Sequence, residues 1–168
     1  MAFDYLPQTP DVGKEAVLTT LTAEQAKLVE AKNFGVLATI RENGTPNVTP
    51  VWVDWDGKNV LVNTSYGRAK HLQLRRDPRC TILIMNSSNP YDWVSITGRA
   101  VEITERGAEP HIDKLAMKYE GVAKYPYMMP GERRLKIAIK PERVASHLGS
   151  DVLIAKAKAR LKKRGETY

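Results

Sequence analysis

Apolar residues recur in regular blocks along the chain, most of them short and bounded by Gly, Asn, Asp or Pro, which is the punctuation of strands rather than of long helices. The first block is an exception. Thr22 stands at an N-cap position with Gln25 three residues later, the signature of a capping box, and Leu28 and Val29 supply an apolar face. A helix is predicted there, ending near Asn33-Phe34-Gly35. Strands are then predicted over 35–40, 47–55 and 59–64, joined by turns at Glu42-Asn43-Gly44 and Asp56-Gly57 whose glycines can take positive φ. A short helix over 68–76 is stopped by Asp77-Pro78, and a strand over 80–85 leads into the loop Asn86-Ser87-Ser88-Asn89-Pro90. The longest strand is predicted over 93–103, with Gly98 inside it marking a bulge or a close backbone approach. A helix over 108–119, a loop rich in Tyr, Met and Pro, and strands over 135–140 and 143–146 complete the pattern. Strands and helices do not alternate in a βαβ rhythm, which disfavours a Rossmann fold. About six antiparallel strands with peripheral helices predict a mainly β (α+β) barrel in one domain spanning 1–168, with a core over about 21–148.

Composition narrows the class. The 168 residues are 42% hydrophobic and 27% charged, an ordinary globular balance. No stretch approaches the ~20 apolar residues of a bilayer crossing, so no membrane partner is expected. The N-terminus MAFDYLPQTP lacks the basic flank and apolar run of a secretory signal, and a cytoplasmic location is the expectation. Cys80 is the sole cysteine, which excludes an internal disulfide and a multi-cysteine metal site. The net charge of +7 is concentrated at the end of the chain. Residues 155–168 hold six basic side chains (Lys156, Lys158, Arg160, Lys162, Lys163 and Arg164) and one acid, Glu166, which leaves +2 on the other 154 residues. The 150–168 segment therefore reads as a basic helix or tail, solvated and favoured by the helix dipole, and nucleic acid is disfavoured as a partner.

The chain carries no GxSxG elbow, HExxH pair or GxxxxGK[ST] loop, and His71, His111 and His147 lack metal-ligand spacing. Such an inventory suits a binding module or an enzyme whose cofactor performs the hard chemistry. One constellation stands out: Asn63-Thr64-Ser65-Tyr66-Gly67-Arg68-Ala69-Lys70, where a strand hands over to a helix. The planar fork of Arg68, the point charge of Lys70 and the hydroxyls of Thr64 and Ser65 form a donor set suited to phosphate. The same residues also read as a helix start decorated with solvated cations. The loop Lys124-Tyr125-Pro126-Tyr127-Met128-Met129-Pro130 reads equally as a wall of an apolar substrate pocket or as a cover on a barrel end.

The run VLATIRENGTPNVTPVWVDWDGKNVLVNTSYGRAKHLQLRRDPRCTILI, followed by DWVSITGRAVEIT, resembles the pyridoxamine-phosphate-oxidase-like split β-barrel superfamily, and within it the actinobacterial B group of flavin/deazaflavin-dependent oxidoreductases. The resemblance implies a six-stranded antiparallel split barrel of the flavin-mononucleotide-binding type and a homodimer with a cofactor at each interface. It implies that Arg68 and Lys70, flanking Ala69, hold the cofactor phosphate beside Asn63, Thr64 and Ser65. It further implies that Thr49, Pro50, Val51 and Trp52 run along the cofactor ring, and that Trp93 falls where the partner chain contributes a residue near the ring. Trp93 reads equally as a strand aromatic filling the dimer interface. The C-terminal run SHLGSDVLIAKAKARLKKRGETY lacks the Arg/His substrate site and the Trp-containing last strand of vitamin B6 oxidases, which disfavours that activity. The RAK triplet is similar to that of the deazaflavin group. The implied cofactor is coenzyme F420 (8-hydroxy-5-deazaflavin), whose anionic tail suits a basic groove including Arg75 or Lys136, with flavin mononucleotide as the alternative. The implied reaction is hydride transfer between the reduced cofactor and an activated double bond of a small organic substrate. The alternative is a flavin oxidase or electron-carrying module of the same fold.

Overall fold

A computed structural model describes residues 20–163, so the N-terminal decapeptide and the end of the basic tail from Arg164 lie outside the described residues. The element order is α1 (Ala23–Glu30), β1 (Gly35–Ile40), β2 (Pro46–Val51), β3 (Val53–Trp55), β4 (Val60–Ser65), α2 (Ala69–Arg76), β5 (Arg79–Met85), β6 (Trp93–Thr104), α3 (Ala108–Glu120), β7 (Arg134–His147) and α4 (Ser150–Lys163). The predicted capping box is present at α1, with Thr22 accepting from the Gln25 amide and Gln25 reaching back. Gly44 and Gly57 hold φ of +82° and +90° at the two predicted turns. The segment from Ser150 to Lys163 is helical, with Lys156, Lys158, Arg160 and Lys162 exposed. Among the described residues no helix is long and apolar enough to cross a membrane.

All strand pairs are antiparallel, in the order β2-β1-β5-β6-β7-β4-β3. The two outermost strands, β2 and β3, are consecutive in the chain and separated only by Trp52. The sheet therefore curls until its two edges meet at that residue, the split-barrel arrangement that the resemblance implies.

Seven strands stand where six were expected, because the predicted strand over 47–55 is cut at Trp52. Up to Val51 it pairs with β1, and from Val53 it pairs with β4, so Trp52 belongs to neither ladder. The last two predicted strands are instead one, β7, which at 14 residues also exceeds the 12 of β6. The register of β6 on β7 jumps from Thr97↔Arg143 to Gly98↔Pro141, so the chain turns through Pro141 and Glu142 by a bulge rather than a break. The two backbones approach closely at Gly98, as its position in the strand predicted: a Cβ there would lie 2.1 Å from the Lys140 carbonyl oxygen.

Alternate residues of the strands point inward. Leu37, Val53, Val60, Val62, Ile82, Ile96, Ile137 and Ile139 are fully buried and, with Leu28 and Val29 of α1, form the barrel core. Cys80 is buried among them and burial, followed by the charge of Glu142, pushes its thiol up to about 12, which makes it an inert packing residue. On the outside, α3 lays Ile112, Leu115 and Tyr119 against Trp52 and Tyr125. That second, smaller cluster underlies the site.

Candidate functional site

The break between β2 and β3 creates a cleft. Trp52 projects on the outside of the barrel and stacks on Tyr119 at 5.2 Å and 1°, while Tyr125 meets it edge-on at 5.9 Å and 90°. The Tyr119 hydroxyl staples the bend by accepting from the Val53 amide (3.1 Å) and donating to the Asn33 carbonyl (2.6 Å). The resulting cleft measures about 250 Å³. Pro50, Val51 and Trp52 form its floor, and Phe34, Ile112, Tyr125 and Tyr127 its apolar walls. Its polar end is made by Asn63, Arg68, Lys70 and Arg134.

Pairing between β4 and β7 builds that polar end. Asn63 sits opposite Lys136 and Ser65 opposite Arg134, so these four side chains share one face. Arg134 donates from Nε to Asn63 Oδ1 (2.8 Å) and from Nη1 to Ser65 Oγ (2.9 Å) and Glu132 Oε1 (2.8 Å), and its guanidinium lies 5.0 Å from the centre of the Tyr125 ring. Glu132 Oε1 also accepts from Ser65 Oγ and from Arg68 Nη2 (3.3 Å), and Oε2 accepts from the Met129 amide (3.0 Å). Burial alone would raise the Glu132 carboxyl, but the Met129 amide, the Ser65 hydroxyl and Arg134 outweigh it and hold the group at about 2. Lys70 is half-buried, and burial together with the positive charges of Arg68 and Arg134 pushes its amine below the usual lysine value. Among the described residues no carboxylate pairs with Lys70. Among these residues the corner, where it lines the cleft, thus holds three cations, Arg68, Lys70 and Arg134, against one carboxylate, Glu132, while Lys136 shares their face without lining the cleft.

Behind this corner, Asn63 Nδ2 donates to the Ala108 carbonyl (2.8 Å) and lies 3.2 Å from His111 Nδ1. With Nδ1 accepting from that amide, the ring carries its proton on Nε2, which is buried, has no hydrogen-bond partner and lies 3.7 Å from Asp54 Oδ2. Burial lowers the His111 pKa to about 4; Asp54 opposes this and Lys136, Lys114 and Arg134 reinforce it. Between pH 6.5 and 4 the unfolded chain binds a proton here that the folded protein refuses, so stability is complete above 6.5 and falls as pH drops through this window. The loss attributable to His111 is expected to reach about 3 kcal/mol. Urea unfolding of wild type and His111→Gln across this range checks it: the variant should show a shallower acid slope.

The sequence-predicted site residues distribute unevenly. Pro50, Val51, Trp52, Asn63, Arg68 and Lys70 line the cleft, and Ser65 is buried beneath it, bonded to Arg134 and Glu132. Thr49 lies farther along β2, paired with Leu37, and Ala69 is exposed in the first turn of α2. Thr64 does not join the cleft. It alternates with Asn63 and Ser65, pairs with Leu135 on the other face, and its buried Oγ1 has no partner. Trp93 starts β6 opposite Met85 and His147, whereas the corner lies toward the other end of that strand, where Thr104 meets Lys136. One chain therefore does not bring Trp93 to the cleft. Arg75 lines a separate hollow with Tyr66 and His71. Of the loop over 124–130, Tyr125 and Tyr127 form a wall of the cleft, whereas Met128 and Met129 do not line it. Arg134, Glu132 and His111 went unrecognised in the sequence because nothing near them in the chain marks them; only strand register delivers them.

Comparison with known proteins gives a consistent picture. The family described as pyridoxamine 5′-phosphate oxidase matches residues 21–148. A solved structure named F420 reductase superposes with a TM-score of 0.67 at 25% identity, over 74% of this chain and 98% of its own. The conserved hypothetical protein Rv2991 from Mycobacterium tuberculosis is 28% identical, with a TM-score of 0.58, over 76% of this chain and 86% of that one. General Stress Protein 26 from Bacillus anthracis, at 16% identity and a TM-score of 0.57, covers 73% of this chain and 90% of its own, and shows the shared fold alone.

Proposed function

Because the chain belongs to the pyridoxamine 5′-phosphate oxidase family, we propose that it is a deazaflavin (coenzyme F420)-dependent oxidoreductase acting on an activated double bond of a small organic substrate. One observation carries the reading: Lys70, half-buried beside Arg68 and Arg134, has no carboxylate to answer it among the described residues. A cation in that setting is costly to an empty protein and becomes favourable once an anion arrives. The corner opens directly onto a cleft floored by Pro50, Val51 and Trp52 and walled by aromatic rings, which suits a flat ring attached to that anion. The 25% identity to a protein named F420 reductase supports the deazaflavin over other ring systems.

In this reading Arg68 and Lys70 hold the cofactor phosphate through charge-assisted hydrogen bonds, and Asn63 keeps Arg134 in place beside them. When bound, the cofactor supplies hydride transfer. The chain's own residues orient it: the 50–52 segment lies along the ring, and the walls of Phe34, Tyr125 and Tyr127 exclude water from the face where substrate packs. The active form is a homodimer, and Trp93 acts at the cleft of the second chain. Titration of the protein with coenzyme F420 and with flavin mononucleotide, followed by quenching of Trp52, tests the reading. The deazaflavin is expected to bind more tightly. A preference for flavin mononucleotide would make this a flavin oxidase or electron carrier, and binding of neither would remove the proposal.

A further inference from the structure

Resting on this reading of the cleft, we propose that Glu132 is a specificity-determining residue: a resident carboxylate in the cation corner that disfavours a doubly charged phosphomonoester more than a singly charged phosphodiester. Glu132 is set into the corner rather than lying beside it. Its side chain is only 7% exposed, and one oxygen receives Ser65, Arg134 and Arg68 together. The Met129 amide anchors the other oxygen, so the group cannot swing away without giving up a backbone hydrogen bond. Its carboxyl, held at about 2, is charged at every working pH.

The cations differ in how firmly they are engaged. Arg134 is buried and bonded to Asn63, Ser65 and Glu132. Arg68 is 55% exposed and touches Glu132 at 3.3 Å, a contact easily exchanged for one to an incoming anion. Lys70 pairs with no carboxylate among the described residues. A phosphate taken by Arg68 and Lys70 therefore sits in a corner that Glu132 lowers from three positive charges to two. Repulsion from a fixed charge scales with the charge of the ligand. A phosphomonoester carries about −1.5 to −2 at neutral pH, a phosphodiester a single negative charge. Across a partly solvated corner, Coulomb repulsion of this kind weakens binding about tenfold per ligand charge. Glu132 thereby tilts the phosphate corner toward a diester and away from a monoester such as that of flavin mononucleotide.

The test is a charge series on one ring: riboflavin, the phosphate methyl ester of flavin mononucleotide, and flavin mononucleotide itself. Each is titrated into wild type, Glu132→Gln and Glu132→Asp, with Glu132→Ala as a second neutral variant. In the neutral variants riboflavin affinity is expected to stay within threefold of wild type, the methyl ester to bind about tenfold more tightly, and the monoester about a hundredfold more tightly. Glu132→Asp keeps the charge and is expected to keep the wild-type ratio of monoester to ester. Equal tightening of the two phosphates, or none, in a protein that still binds riboflavin overturns the inference and leaves the reading of the cleft standing. Failure of all three flavins to bind any of the proteins overturns the inference, and failure of coenzyme F420 to bind them as well overturns both.

Discussion

Replacing Arg68 and Lys70 together by Ala is expected to weaken cofactor binding at least a hundredfold, while the empty protein keeps its stability. Each cation is assigned a charge-assisted hydrogen bond to phosphate, and such bonds are worth ~1.5–3 kcal/mol apiece. The two sites touch one ligand, so the losses will not add perfectly, but their sum of about 3–6 kcal/mol reaches the ~2.7 kcal/mol that a hundredfold requires. The stability half of the prediction separates a binding role from a structural one. Lys70 is pushed below its usual pKa by burial and by Arg68 and Arg134, so its charge works against the folded state at neutral pH. Lys70→Met, which keeps the apolar stem, is expected to hold or raise the Tm of the empty protein while lowering affinity. A fall in Tm with unchanged affinity would assign Lys70 to the scaffold. Calorimetric titration and thermal melts on the same samples read both quantities.

Gly98→Ala is expected to destabilise the barrel by about 3 kcal/mol, the upper range for overpacking a tight site. The added Cβ would stand 2.1 Å from the Lys140 oxygen and 3.0 Å from its carbonyl carbon. Both are backbone atoms of β7, so no side chain can rotate out of the way. Relief requires β6 and β7 to part at the bulge, at the cost of ladder hydrogen bonds on either side. For a domain of this size that loss corresponds to a Tm lower by roughly 6–12 °C. Gly35 offers a contrast: a Cβ there would meet the side chains of Val53 and Ile82, at 2.6 and 2.9 Å, which can shift. Gly35→Ala is expected to cost less than Gly98→Ala in the same urea series, and the reverse order would mean that β6 and β7 approach less closely than described.

What could be read directly along the chain was what a few neighbouring residues decide among themselves. The Thr22–Gln25 capping box, the turns at Gly44 and Gly57, the close approach at Gly98 and the contiguous group from Asn63 to Lys70 each depend on local conformation and side-chain chemistry. Alternation of apolar residues likewise marks strands without reference to their partners. Register is different, because it joins residues far apart in sequence through backbone hydrogen bonds that nearly any side chain permits. Hence the break at Trp52, where one strand leaves β1 and joins β4 to close the barrel, was legible only once the pairing was known. The same register turns Thr64 away from the cleft and places Ser65 opposite Arg134, 69 residues later in the chain. Two cations in a short motif pointed to an anion, and that much was local chemistry. Arg134 and Glu132, which set the charge of the corner that receives it, reach Ser65 only through the pairing of β4 with β7.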